Sequence, residues 1–224
     1  WFIPLERLPK PKKKQLRNSV MLSQSGAFMI TRLSQNPWLD PAYMLALGNQ
    51  TDLTHGDMLG YFAALPGIET LGIYIEGFKD LDGLQFAKAV RKAVLNGKQI
   101  VVYKSGRTAP GQGGVMGHTA SIAGGLTLFE SVVRHAGAIV AEDFNSFDDL
   151  FYIAGVLQGK KIGGRRIGAI SGAGFEAVGM ADNIESDSFA LEMGALEDAT
   201  VKKVEEILVA KKLDQLVEVR NPID

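Results

Sequence analysis

The chain has no cysteine. Disulfides, thiolate metal sites and a cysteine nucleophile are therefore excluded, and a reducing compartment, the cytoplasm, is expected. No apolar run approaches the ~18 residues of a membrane span, so a membrane partner is not expected. The start, Trp1-Phe2-Ile3-Pro4, lacks the charged-then-apolar order of a secretory leader. It also lacks methionine, as a piece of a longer protein would. The formal net charge is only −1, so nothing in bulk charge calls for nucleic acid or an anionic surface. The local exception is the basic group Lys10, Lys12, Lys13, Lys14 and Arg17. Such a short basic run reads as a solvated linker.

What is present is enough apolar sequence for a core: 46% hydrophobic against 22% charged over 224 residues. That length fits one large domain or two small ones. Residues 1–18 carry three prolines and read as an extended, basic linker packing through Trp1, Phe2 and Leu5. From Ser19 a short apolar run, a glycine or polar loop and an amphipathic stretch recur. The expected strands are Ser19–Ser23, Ala42–Leu47, Thr70–Ile75, Gln99–Lys104 and Ala138–Ala141. Helices are expected from near Gly26, across Asp57–Leu65, Leu81–Asn96 and Ser146–Leu157, and from His118 to about His135 after a flexible glycine loop at Ala109–Gly114. Alternation at this spacing predicts an α/β fold with a parallel sheet covered on both faces. Five units within residues 19–160 suit the flavodoxin-like doubly wound arrangement. Lys160–Arg166 is a polar, glycine-containing joint, and the pattern restarts beyond it. Strands are expected at Arg166–Ser171 and Phe189–Glu192, and helices at Gly174–Ile184 and Asp198–Lys211. Residues 161–224 are too few for a second complete sheet, so a truncated flavodoxin-like unit is expected.

Ligands of open parallel sheets sit beyond the carboxyl ends of the strands. Here those ends are Ser23-Gln24-Ser25-Gly26, Gly48-Asn49-Gln50-Thr51-Asp52, Glu76-Gly77 and Lys104-Ser105-Gly106-Arg107. Ser23, Ser25 and Gly26 could bring the N-terminus of a helix to a phosphate, or merely cap that helix. Glu76 could accept the Nδ1–H of a histidine, leaving Nε2 as a nucleophile. Alternatively it is a solvated strand-end carboxylate or a partner of Lys79.

Three histidines compete for such a role. His135 precedes Gly137 and suits a helix C-terminus. His55 lies near Asp52 and Asp57, which reads as a metal cluster or, lacking a further ligand of good spacing, as a surface loop. His118 sits among small residues in Gly117-His118-Thr119-Ala120-Ser121-Ile122-Ala123-Gly124-Gly125 and is expected to start a helix, where it could carry a phosphoryl group. A further signal, Gly172-Ala173-Gly174-Phe175-Glu176-Ala177, satisfies GxGxxA. Glu192 stands about 20 residues on, at the end of the next expected strand, as a dinucleotide site would have it. The same glycines would equally bring a helix N-terminus to a single phosphate.

Taken in order, Ser23–Phe28, Gly48-Asn49 with Asp52, Tyr74–Gly77, Lys104–Arg107 and Gly117-His118-Thr119 with Ala123-Gly124 resemble the NDP-forming acyl-CoA synthetases, the family that includes ADP-forming acetyl-CoA synthetase and is related to succinyl-CoA synthetase. Ser171–Gly174 and the terminal Asn221-Pro222-Ile223-Asp224 resemble the start of the next subdomain, so the likeness covers almost the whole chain. The resemblance implies that acyl-CoA and phosphate give an acyl phosphate and CoA, and that the phosphoryl group passes through His118 to ADP. It implies that Glu76 steadies the phosphohistidine. Helix N-termini at Ser25-Gly26 and at Gly172, Ala173 and Gly174 would face the phosphoryl group, with Gly48, Asn49, Lys104 and Arg107 on the substrate and CoA side. CoA and ADP/ATP with Mg are then substrates of a larger assembly, and no metal is bound by this chain itself. A CoA-binding Rossmann domain, an ATP-grasp domain and an oligomeric state are expected. Two positions depart from the family pattern: Ala120 replaces a glycine, and Glu176 places a carboxylate near the start of the second helix. The other readings are a non-catalytic related module, for sensing or fused to an acetyltransferase, and a dinucleotide-binding fragment.

Overall fold

Parallel strands with both faces covered read as apolar runs, and the interiors of the central strands here do: Val20–Leu22, Leu71–Ile75 and Ile100–Tyr103. The structure is a computed structural model. It describes residues 17–79, 81–119 and 125–224, and of residues 116–119 and 189 only the backbone. The chain divides into two compact units, Trp1–Lys160 and Lys161–Asp224.

In the first unit, β1 (Ser19–Ser23), β2 (Tyr43–Ala46), β3 (Thr70–Ile75), β4 (Gln99–Lys104) and β5 (Ile139–Val140) form one sheet in the order β2-β1-β3-β4-β5. Every pairing is parallel. This is the flavodoxin-like order. Residues of alternate parity face opposite sides of the sheet. Val20, Leu22, Leu71, Ile73, Ile75, Ile100 and Val102 pack in one core against α2 (His55–Ala64), α3 (Asp82–Leu95) and α5 (Leu126–Ala136). Met21, Tyr74, Val101 and Tyr103 pack in the other against α1 (Gly26–Gln35) and α6 (Phe144–Leu157). On that second face Gly72 makes room for Phe151: a Cβ there would lie 2.7 Å from the ring.

Three expectations are corrected here. The stretch from Ala109, expected as a flexible loop, is the helix α4 (Ala109–Thr119). Thr108 starts it, its Oγ1 accepting from Gly111 N–H and its carbonyl from Gln112 N–H. Pro110 is tolerated in the first turn, where no intrahelical donor is needed. His118 therefore lies in the last turn of α4 and does not start a helix. α2 begins two residues earlier than expected, because Thr54 and Asp57 form a capping box. At the end of the expected linker, Arg17 pairs with Asp40 at 2.8 Å and Asn18 Nδ2 donates to Glu69 at 2.8 Å. Trp1, Phe2, Leu5 and the basic run Lys10–Lys14 lie outside the described residues, as do Ala120 to Gly124.

The second unit is built differently from the expected single-strand repeats. β6 (Arg166–Ile167) pairs in parallel with β9 (Glu192–Met193), while β7 (Glu185–Ser186) and β8 (Phe189–Ala190) form an antiparallel ribbon. α7 (Gly174–Asp182) and α8 (Asp198–Lys211) complete it. The terminal Asn221-Pro222-Ile223 segment is stitched to it. Asn221 Nδ2 donates to the carbonyls of Ile167 and Gly194, and Ile223 bridges Ile170.

Adding a methyl group at Gly72 should overpack Phe151. Gly72→Ala is expected to lose about 1–3 kcal/mol in urea unfolding. Gly60→Ala, in open space on α2, should gain roughly 0.5–1 kcal/mol through helix propensity. Equal stability of Gly72→Ala and the wild type would contradict the packing of Phe151 on β3.

Candidate functional site

The parallel register aligns the strand ends. Ser23 pairs with Tyr74, and Ile75 with Lys104. One edge of the sheet thus gathers Ser23–Gly26, the turn after β2, Glu76-Gly77 and Lys104–Arg107. β3 ends at Ile75, and beyond it the chain has no strand partner for its next polar groups. Side chains supply them. Gln24 Oε1 accepts from Glu76 N–H at 2.8 Å and from Gly77 N–H at 3.2 Å. Lys104 Nζ donates to the Glu76 carbonyl at 3.0 Å, and Gln50 Nε2 to the Gly77 carbonyl at 3.0 Å. All four main-chain polar groups of this dipeptide are held by buried side chains from three other segments.

Glu76 rides on that support and is only 9% exposed. By strand parity it lies on the same face as Tyr74, whose hydroxyl donates to Glu76 Oε1 at 3.2 Å. Burial, aided by the neighbouring Glu76 charge, pushes the Tyr74 hydroxyl up to about 12, so it stays a donor. Lys104 is 2% exposed. Burial lowers its pKa, and the nearby Glu76 opposes that shift. An apolar cavity of about 540 Å³ opens beside Lys104 and Lys79, walled by Phe78, Leu84, Leu128 and Phe129.

The other expected site residues fall out as follows. Ser25 caps α1, its Oγ accepting from Phe28 N–H at 3.2 Å, and Ser23 Oγ donates to the Ser25 carbonyl at 2.6 Å. Gly26 is the first residue of α1. Gly48 turns the chain with φ +54°, and Asn49 beside it is exposed. Arg107 is committed to Glu130 at 2.7 Å and lies over the Tyr103 ring. The side chain of His118 lies outside the described residues, and its backbone is in α4. His135 occupies the last turn of α5 ahead of Gly137, as expected.

His55 is a correction. It is not in a surface loop but fully buried at the start of α2. Its backbone N–H donates to Gln50 Oε1 at 3.0 Å, and its Nδ1 lies 2.7 Å from the same oxygen. Burial pulls its pKa down to about 4. Among the described residues no group of three or more histidine, aspartate and glutamate side chains is placed to hold a metal.

In the second unit, Gly172 and Ala173 lead into α7, which begins at Gly174. Ser171 Oγ lies 2.5 Å from Glu176 Oε2 and takes the Ala173 N–H. A Cβ on Gly174 would lie 3.0 Å from Asp224 Oδ2. Two carboxylates of the same unit thus stand at the start of α7. Glu192 begins β9 and does not end a strand, so it is not where the ribose acid of a dinucleotide fold belongs.

Gln24 and Gln50 were not singled out by the sequence patterns. Gln24 lies between two serines that draw the eye, and only the pairing of β1 with β3 brings it to Glu76. No local signal marks Gln50.

An open, all-parallel sheet in this strand order, with its buried polar groups gathered at the carboxyl edge, defines a flavodoxin-like domain. Residues 17–157 match the succinyl-CoA-ligase-like flavodoxin domain, and the chain belongs to that family. It is 31% identical to an ADP-forming acetate–CoA ligase of Methanocaldococcus jannaschii, over 91% of this chain and 27% of that one. It is 28% identical to the alpha subunit of the ADP-forming acetate–CoA ligase II of Pyrococcus furiosus, over 92% and 43%. Among solved structures it resembles the dinucleotide-forming acetyl-coenzyme A synthetase 1 of Ca. Korarchaeum cryptofilum in complex with phosphate and ADP. The TM-score is 0.65 at 26% identity, over 96% of this chain and 45% of that one. The chain thus spans less than half the length of these relatives.

The sign of the pH effect of His55 follows from its lowered pKa. Between about 4 and 6.5 the unfolded chain binds a proton there that the folded chain refuses. Its contribution is therefore complete above pH 6.5 and lost as the pH falls toward 4, by roughly 3 kcal/mol in all. The difference in unfolding free energy between the wild type and His55→Gln should change by that order across this window. A pH-independent difference would contradict the buried neutral imidazole.

Proposed function

We propose that this chain is the phosphoryl-carrying part of an NDP-forming acyl-CoA synthetase. Phosphate attacks the thioester carbonyl of an acyl-CoA. The C–S bond breaks, the thiolate leaves as CoA, and an acyl phosphate forms. A histidine nitrogen, assigned to His118, then attacks the phosphorus, and the carboxylate leaves as the free acid. ADP takes the phosphoryl group from the histidine to give ATP. Such transfers ask the protein chiefly for positioning and for relief of oxygen charge.

Glu76 is the observation that carries the reading. A carboxylate buried at the end of the central strand, and fixed through its own main chain, is costly to keep unless it orients something. In the proposed role it accepts Nδ1–H of the carrier imidazole, leaves Nε2 free to attack, and stabilises the cationic phosphoimidazole. The start of α1 offers main-chain N–H groups and a favourable dipole for phosphate. The family membership and the names of the relatives support the same reaction. The carboxylates Glu176 and Asp224 at the start of α7 make that helix a poorer phosphate cradle than the start of α1.

Because the relatives are much longer, the CoA-binding and nucleotide-binding functions belong in this proposal to further domains or subunits: a Rossmann domain and an ATP-grasp domain that brings Mg with its nucleotide. The working unit is then an oligomeric assembly in the cytoplasm. Among the described residues no helix is long and apolar enough to cross a membrane.

The test is to incubate the complete assembly with ATP and Mg, or with acyl-CoA and phosphate, and to look for acid-labile phosphate by mass spectrometry. The label is expected on His118, absent from His118→Ala, and slowed about 10–100-fold in Glu76→Gln. Undiminished label in His118→Ala overturns the proposal.

A further inference from the structure

Gln50 is the most heavily committed residue at this edge that no reading of the reaction assigns. It is 3% exposed, and its backbone is left-handed at φ +52°, a conformation that residues with side chains rarely adopt. Its Oε1 accepts from His55 N–H at 3.0 Å and lies 2.7 Å from His55 Nδ1. A main-chain N–H can only donate, so it dictates which way the amide points, and Nε2 presents its hydrogens to the Gly77 carbonyl, which it meets at 3.0 Å. Its own carbonyl accepts from Lys79 Nζ at 3.1 Å. One side chain thereby ties the turn after β2, the start of α2 and the turn after β3.

What it holds is the main chain directly after Glu76. Gln24 holds the same dipeptide from the β1 side through both N–H groups. An apolar turn would close the sheet edge without burying two amides and an imidazole, each of which costs desolvation unless fully bonded. We propose that Gln50, acting with Gln24, is a positioning residue that sets the direction of the Glu76 carboxylate toward the phosphoryl-carrying imidazole. This rests on the carrier reading given above. His55 locks the amide from behind, and Gln50 touches no reacting atom itself.

A double-mutant cycle on the rate at which His118 is phosphorylated by ATP and Mg in the complete assembly tests this. Gln50→Met should slow that rate about 10–100-fold at unchanged KM for ATP. In a Glu76→Gln background the same substitution should cost less than about twofold, since the group being positioned is already lost. Gln50→Glu keeps an acceptor for His55 but offers Gly77 no N–H, so it should behave like Gln50→Met. If Gln50→Met does not fold, Gln24→Met and Gln50→Glu are read in the same cycle. Wild-type rates in these variants overturn the proposal, as does an equal loss with and without Glu76, the mark of a merely structural role. No label on wild-type His118 overturns the carrier reading itself, and the positioning role with it.

Discussion

The register of β3 between β1 and β4 is the constraint on which the rest of the first unit depends. β3 is buried along its whole length, with Leu71, Ile73 and Ile75 in one apolar core and Tyr74 in the other. A slip of one residue would exchange the faces of Ile73 and Tyr74 and drive Phe151 against a side chain where Gly72 now stands. It would also carry Glu76, together with Tyr74, to the opposite face of the sheet. The position of the carboxylate at the sheet edge is therefore a consequence of core packing two and four residues earlier.

Beyond Ile75 the backbone loses its ladder partners but remains buried, and buried main-chain groups must be paired. Gln24, Gln50 and Lys104 are the solution. Long polar side chains reach in from neighbouring strand ends and replace the missing strand. His55 completes the arrangement, because its backbone N–H donates to Gln50 Oε1 and so orients the amide, with the ring Nδ1 against the same oxygen.

Family membership and this geometry bear on each other through Glu76. The family match covers the first unit, residues 17–157. Within that span the strand ends that resemble the acyl-CoA synthetases are brought to one edge by the sheet. In the second unit the glycines of Gly172–Gly174 do precede a helix, but Ser171, Glu176 and Asp224 already gather there. A Gly-rich turn is permission for close approach, and the neighbours decide what approaches.

Much of the first unit was legible in the chain. Strands β1, β3 and β4 appear as expected, since a fully buried parallel strand leaves an unbroken apolar run bounded by polar turns. The composition and periodicity of the sequence by themselves determined the α/β class, the parallel sheet and the place of Glu76 at a strand end. The glycines of α4 concealed a helix, because low propensity was outweighed by its Thr108 start. The polar setting of His55 concealed a buried side chain, because the capping box at Thr54 starts α2 early and turns the ring inward. Only the tertiary structure could decide that Gln24, Gln50 and Lys104 converge on Glu76 and Gly77. Each of the three lies 27 to 53 positions along the chain from the group it holds, and hydrogen bonds at that separation are set by strand order and register, which no local pattern records.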